Sequence, residues 1–357
     1  MKAGLSITEL AAEILRQKDL KEDYIVNMPN LRMDAYGNDL FLRMLDEGGN
    51  DRVEPLDIGP NAHRQIGTYL AIPAKYYIKM QEEKPELLST NVNAWFSASN
   101  KPRMIRVLEG KARAFLSNRY LRMDHSQIAE AVLPIIGQMP DVRFESCQIT
   151  EDRMYIKAVN PRLQAEVTPG DIVQAGLIIS NSEVGLGSVS IQPLVYRLVC
   201  KNGMVVNDAA TKRNHVGHVN SADENFLLYS EETLAADDHA FLLKVRDSVE
   251  AAVTEAKFSQ VVDAMREARE ARMNTADVPA IVRLASKDFG ITENEQTGVL
   301  QHLIEGHDLT LYGLSNAVTQ YSQDVDSYDR ATTLEGIGYN ILSMPSKQWN
   351  RINQTAA

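Results

Sequence analysis

Between Lys101 and Val206 the chain repeats one texture, short runs of β-branched and aromatic residues closed by turn residues. That texture restricts the middle of the protein to a sheet. Met104–Leu108 and Ala112–Leu116 flank Glu109-Gly110 and read as a hairpin. Val142–Ile149, Met154–Val159, Ile172–Ser180 and Val189–Cys200 supply further strands, and Asn202-Gly203 reads as the turn of a second hairpin. Asp124-His-Ser-Gln127 interrupts the pattern as a helix cap, with Ile128, Val132, Ile135 and Ile136 forming one apolar stripe behind it. The segment 101–206 is therefore expected to be an antiparallel sheet with a helix packed on it.

The flanks differ in kind. In residues 1–100, Ser6-Ile-Thr-Glu9 is a capping box for an amphipathic helix, and 27–60 reads as irregular because Pro29, Gly37, Gly48-Gly49, Pro55 and Gly59-Pro60 punctuate it. NAHRQIGTYL from Asn61 and AKYYIKMQ after Ile72-Pro73 are two short helices across a tight break. Residues 207–236 read as a polar connection, and 237–357 as an acidic helical domain in which Phe241, Val245, Val249, Val253 and Phe258 share a side. The expected fold class is α+β: an N-terminal helical and irregular segment, an antiparallel sheet core with a packed helix, and a helical C-terminal domain.

Charge is distributed unevenly. The whole chain carries a formal −11, yet residues 101–220 hold 15 basic and 11 acidic side chains, against 11 and 22 in 221–357. Within 101–122, Lys101, Arg103, Arg106, Lys111, Arg113, Arg119 and Arg122 face Glu109 alone. Interleaved with Phe115 and Tyr120, such arginines offer phosphate contacts and stacking faces together. Tyr196, Arg197, Lys201 and Asn202 form a second set, and both sets would border one groove if their strands belong to one sheet. The alternative reading makes Phe115 and Tyr196 core residues and the arginine stems a cover for apolar surface.

Other chemistries find little support. There is no G-x-x-x-x-G-K-[ST], and Gly185-Leu-Gly187 opens no helix that could hold a pyrophosphate. Two cysteines, Cys147 and Cys200, allow no disulfide framework and no zinc cluster built from cysteines. His215-Val-Gly-His218 has metal-like spacing, with His239 downstream and Cys200 upstream, but the nearest acids, Asp208 and Asp223, sit in loop sequence, so no metal or cofactor is expected. No G-x-S-x-G marks a nucleophile. No apolar run is long enough for a membrane span, and the N-terminus turns charged too early for a secretory leader, so a cytoplasmic protein is expected.

The segments ARAFLSNRYLRMDHSQI (112–128), IISNSEVGLGSVSIQPLVYRLVCKNGMVV (178–206), LTLYGLSNAVTQYSQDVDSYDRATTLEGIG (309–338) and NAHRQIGTYLAIPAKYY (61–77) resemble the phage- and plasmid-borne proteins of domain-of-unknown-function family 932. The motif residues here are Arg119, Tyr120, Asn181, Ser182, Glu183, Gly185, Arg197, Cys200, Asn202, Gly203, Asn316, Thr319 and Arg330. The resemblance implies a mobile-element setting but no settled activity. It adds an analogy, at the level of fold outline, with phage single-strand annealing proteins.

Together these readings give an expectation: a non-enzymatic DNA-metabolism protein that binds single-stranded DNA, with annealing or recombination as its task, as a homo-oligomer. Its expected nucleic-acid contacts are Arg103, Arg106, Lys111, Arg113, Arg119, Tyr120, Arg122, Arg197, Lys201 and Asn202. The acidic C-terminal helices would meet protein partners. A phage structural or host-interaction module and a metal-dependent nuclease are the alternatives.

Overall fold

Three strands arise where glycine and proline punctuation suggested irregular chain. The computed structural model describes residues 1–120, 122–187, 189–207, 231–252 and 254–355. After α1 (Ile7–Leu20), whose Ser6–Glu9 capping box is formed, the chain enters β1 (Lys21–Asn27) and, past a 3-10 turn, β2 (Leu31–Tyr36), β3 (Asp39–Met44) and the short β4 (Leu56–Ile58). The glycines and prolines sit at the joints between these strands rather than through them. The segment 27–60 thus carries three strands of a sheet, a correction to the sequence reading.

Three helices follow: α2 (Pro60–Tyr69), α3 (Ala74–Glu83) and α4 (Pro85–Ser97). The expected hairpin is present as β5 (Pro102–Leu108) and β6 (Lys111–Ser117), with Glu109 and Gly110 both at positive φ, as a two-residue turn of this type requires. It pairs with the N-terminal strands in a six-stranded sheet of order β1-β5-β6-β4-β3-β2, antiparallel except where β4 meets β6. Ile66, Tyr77, Leu88, Val92 and Phe96 of α2–α4 cover one face and bury Met33, Leu42, Ile105, Val107 and Phe115.

Helix α5 (His125–Gln138) leads to the second sheet: β7 (Arg143–Ile149), β8 (Met154–Thr168), β9 (Asp171–Asn181), β10 (Ser190–Arg197) and β11 (Asn202–Val205), a meander in the order β11-β10-β9-β8-β7. The 101–206 segment thus belongs to two sheets, not one. Ile128, Val132 and Ile136 of α5, with Leu10 and Ile14, pack on Ile156, Leu177 and Ile179. The expected Asn202-Gly203 turn is also corrected. Asn202 pairs with Arg197 and Gly203 with Tyr196, and the chain reverses one step earlier, where Lys201 takes φ +51°. Gly203 is required by crowding: a Cβ there would lie 2.5 Å from Met1 Cγ.

The C-terminal part is helical, as expected: α6 (Glu231–Ala252), α7 (Glu255–Glu270), α8 (Val278–Phe289), α9 (Glu293–Glu305), α10 (Leu311–Tyr321), α11 (Tyr328–Leu342) and α12 (Ser346–Thr355). Residues 231–236, read as connection, are the start of α6; the rest of that stretch from 208, with His215 and His218, lies outside the described residues. Helices α7–α12 pack Phe258, Tyr312, Val318 and Ile341 against Val173, Val195 and Met204 of the second sheet. The fold class is α+β. Among the described residues no helix is long and apolar enough to cross a membrane.

One ion pair clamps the C-terminal helices to the sheet. Lys157 of β8 and Glu335 of α11, both with fully buried side chains, meet at 2.6 Å, and the Lys157 ammonium lies 4.7 Å from the centre of the Tyr328 ring. Removing one partner strands a buried charge, whereas an apolar pair of similar volume removes the desolvation problem with it. Glu335→Ala or Lys157→Ala is therefore expected to cost about 3–5 kcal/mol in urea unfolding, and Lys157→Met with Glu335→Leu much less. A double variant as unstable as either single variant would contradict this.

Candidate functional site

The hairpin arginines are sorted by strand alternation. Side chains two apart share a face, so Arg103 lies with Ile105 and Val107 on the face under α2–α4, while Arg106 points to the other face. Arg106 is opposite Ala114, and Val107 is opposite Ala112, which leaves Arg113 as the extra residue of a β-bulge. The bulge turns Arg113 towards the Arg106 face while Ala112 and Phe115 stay in the core beneath the helices. Across the ladder, Asp23 of β1 sits directly opposite Arg106.

That face meets the second sheet through the loop after β9, where Glu183 is 1% exposed. Glu183 accepts from the Lys21 ammonium at 2.6 Å, from Arg113 at 3.2 Å and from the His125 backbone N–H at 2.7 Å. Arg106, also buried, donates to Asp23 at 2.8 Å, to Asp124 at 2.6 Å and to the Glu183 carbonyl at 3.0 Å. Asp124 is at once the N-cap of α5 and an acceptor for Arg106. Gln65 of α2 fastens the loop from the other side, donating to the Val184 carbonyl at 2.7 Å and accepting from the Phe115 N–H at 2.7 Å. Gly185, at φ +76°, lets the loop close: a Cβ there would lie 2.5 Å from Leu116 Cδ2.

Burial opposes ionisation of Glu183, but its cationic neighbours outweigh it and hold the carboxyl down at about 2. Burial likewise pulls His125 down to about 4, so its ring is neutral at pH 7. At that pH the ammonium of Lys21 and the His125 backbone N–H, not an imidazolium, keep Glu183 charged. Asn181 lies 2.9 Å from His125 Nδ1, an arrangement in which the amide donates to the unprotonated nitrogen. His63 is buried against the Tyr77 hydroxyl at 2.9 Å and is also lowered to about 4 by burial. Beside this junction a cleft of roughly 420 Å³ is lined by Gln17, Asp57, Asn61, Lys111, Arg113 and Glu151.

The expected groove of arginines is not formed as a unit. Arg106 and Arg113 are spent on carboxylates inside the junction. Lys111 pairs with Glu151 at 2.6 Å, and Arg122, 58% exposed, reaches Asp23 at 3.4 Å. The Tyr120 ring packs with Met104, Leu116 and Val184, and its hydroxyl donates to the Ser182 carbonyl, so it offers no open stacking face. The second set lies in the other sheet. Arg197 makes a two-pronged pair with Asp171, which also accepts from Tyr312; Asn202 is buried and donates to Thr319; Lys201 is exposed in the turn. Exposed Arg119, exposed Lys101 and half-buried Arg103 form no ion pair among the described residues. They gather at the open end of the hairpin, where Arg103 is opposite Ser117.

Sequence reasoning missed Lys21, Asp23, Tyr69 and Trp95, and treated Asp124 only as a cap. Trp95 is 55% exposed on α4, the helix that runs into Lys101. The Glu183 motif was visible, but its role depends on a contact between sheets that spacing does not encode. Among the described residues no group of three or more His, Cys, Asp or Glu side chains is placed to hold a metal.

A two-sheet α+β protein joined by a buried charge cluster is the class this geometry defines. A family model described as Domain of unknown function (DUF932) matches residues 114–344, well over half of the chain, and the protein belongs to that family. The match takes in the end of β6, Arg119, Tyr120, the Glu183 loop, Arg197 and the helices through α11. No curated protein and no solved structure matches the chain.

The junction makes stability fall with acid in two stages. His63 and His125 ionise near 6.5 when unfolded and near 4 when folded, so between those values the unfolded chain binds more protons and is favoured. Each accounts for a loss of about 3 kcal/mol, nil above pH 6.5 and complete below about pH 4. Glu183 continues the loss from 4.5 down to about 2. Urea midpoints across pH 7 to 3 should fall throughout, and His125→Gln should flatten the upper stage. A pH-independent midpoint between 7 and 4 would contradict the neutral, buried histidines.

Proposed function

We propose that the protein binds single-stranded nucleic acid, as a DNA-metabolism protein of mobile elements that works as a homo-oligomer, through the open end of the β5–β6 hairpin. The observation that carries this reading is the set of cations left without carboxylates there: Lys101, Arg103 and Arg119, with Arg122 only loosely held. Cations paired inside the fold release no counterions on meeting a phosphate backbone, whereas exposed ones do. Trp95 is an exposed ring on the adjoining helix, of the kind on which bases stack. The earlier candidates Arg106, Arg113, Arg197 and Asn202 are better understood as structural, because each is already bonded. Protein partners would meet the acidic C-terminal helices.

Fluorescence anisotropy with a labelled oligothymidylate, titrated with salt, tests the reading. Binding is expected at low salt, and Lys101→Ala with Arg119→Ala should flatten the log Kd against log salt slope by about 1.4, at roughly 0.7 per phosphate contact on a single strand. Lys347→Ala, on α12, should leave the slope unchanged. No binding at low salt, or an unaltered slope in the double variant, would overturn it.

A second reading has its own support. Tyr76, Ile78, Leu87 and Trp95 are each about half exposed on α3 and α4, more apolar surface than two short helices usually leave uncovered. A structural or host-interaction module would use that surface, and light scattering would then give an assembly indifferent to DNA.

A further inference from the structure

We propose that Arg103 is the floor of a binding site for a phosphate oxyanion, built by setting its guanidinium against two aromatic rings with no anion of its own. The proposal rests on the nucleic-acid reading only for the source of the phosphate. The guanidinium carbon lies 4.2 Å from the centre of the Tyr69 ring and 4.7 Å from that of Phe115. Phe115 is held in turn, edge-on to Tyr69 at 5.7 Å and stacked on Phe96 at 5.8 Å with 11° between planes. The cation therefore rests against two rings, from α2 and β6, and Phe96 of α4 backs the second.

What the rings do not supply is a hydrogen-bond acceptor. The Nε of Arg103 is buried with no partner, and among the described residues its guanidinium meets no carboxylate or carbonyl oxygen. Other deeply set arginines among the described residues are treated differently: Arg106 has two carboxylates, Arg113 has Glu183 and Arg197 has Asp171. An arginine stacked on aromatic faces presents its donor edge outward in a fixed plane, and such a planar fork matches two oxygens of a phosphate. Ser117 is directly opposite Arg103 in the ladder and exposed, and supplies a hydroxyl on the same face. Lys101 and Arg119, both exposed, add positive charge at the rim.

The same chemistry is offered by free inorganic phosphate and by the phosphodiester of a single strand, so the test uses both. Inorganic phosphate, titrated at constant ionic strength against chloride, is followed by ³¹P line broadening, and oligothymidylate by anisotropy. The wild-type protein is expected to broaden the phosphate signal. Arg103→Met, which keeps the volume, should abolish that broadening and weaken oligothymidylate at least tenfold. Arg103→Lys, which keeps the charge but not the fork, should recover less than half of either effect. Unchanged melting temperatures in the variants, within a few degrees, separate a lost ligand site from a lost fold, and Ser117→Ala serves as a milder probe if Arg103→Met unfolds. Phosphate broadening identical in wild type and both Arg103 variants, or in wild type and Ser117→Ala should that probe be needed, would overturn the proposal and leave the nucleic-acid reading standing. Phosphate binding lost with Arg103 but no oligothymidylate binding in the wild type would sustain the proposal and reject that reading.

Discussion

The carboxylate of Glu183 is the point on which the two halves of this protein turn. It is brought from the second sheet into a face of the first that carries Lys21, Arg106 and Arg113, and its burial is tolerable only because those cations and the start of α5 surround it. A lone carboxylate at 1% exposure would give up its charge; here the compensation is complete enough to keep it ionised. Such a cluster demands register more than it adds stability. Asp23 must face Arg106, the β6 bulge must turn Arg113, and Gly185 must let the loop pass Leu116.

That arrangement divides the basic hairpin in two. Its inner cations are internal structure, and its outer ones are available to solvent. The division follows from pleat and length. Arg103 and Arg106 are an odd number of residues apart and so leave by opposite faces, while Arg119 lies past the last paired residue of β6. A count of seven cations to one anion therefore overstates the charge that a ligand meets.

Much of the fold was legible in the sequence, and the failures have physical reasons. Caps at Ser6 and Asp124, the Glu109-Gly110 turn and the presence of β7–β10 were read correctly because each is a local signal, although β8 runs on past Val159 to Thr168. The six-stranded sheet was hidden because its outer strands are short and joined by glycine and proline loops, so that the turns dominated the reading of 27–60. Asn202-Gly203 misled because crowding by Met1, not turn geometry, selects that glycine. For the site, the hairpin was found but its sorting was not. Partners such as Asp23 and Glu183 lie far away in sequence, and ion pairing over such separations leaves no periodic trace.

The central claim is that ligand meets the outer end of the hairpin and not its paired interior. Hydrogen–deuterium exchange of the intact protein with and without saturating oligothymidylate tests it most directly. The account predicts added protection confined to about residues 95–103 and 117–122, with 104–113 and the β10–β11 turn unchanged. Protection centred on Arg106, Arg113 and Glu183, or none at the hairpin's open end, would contradict it.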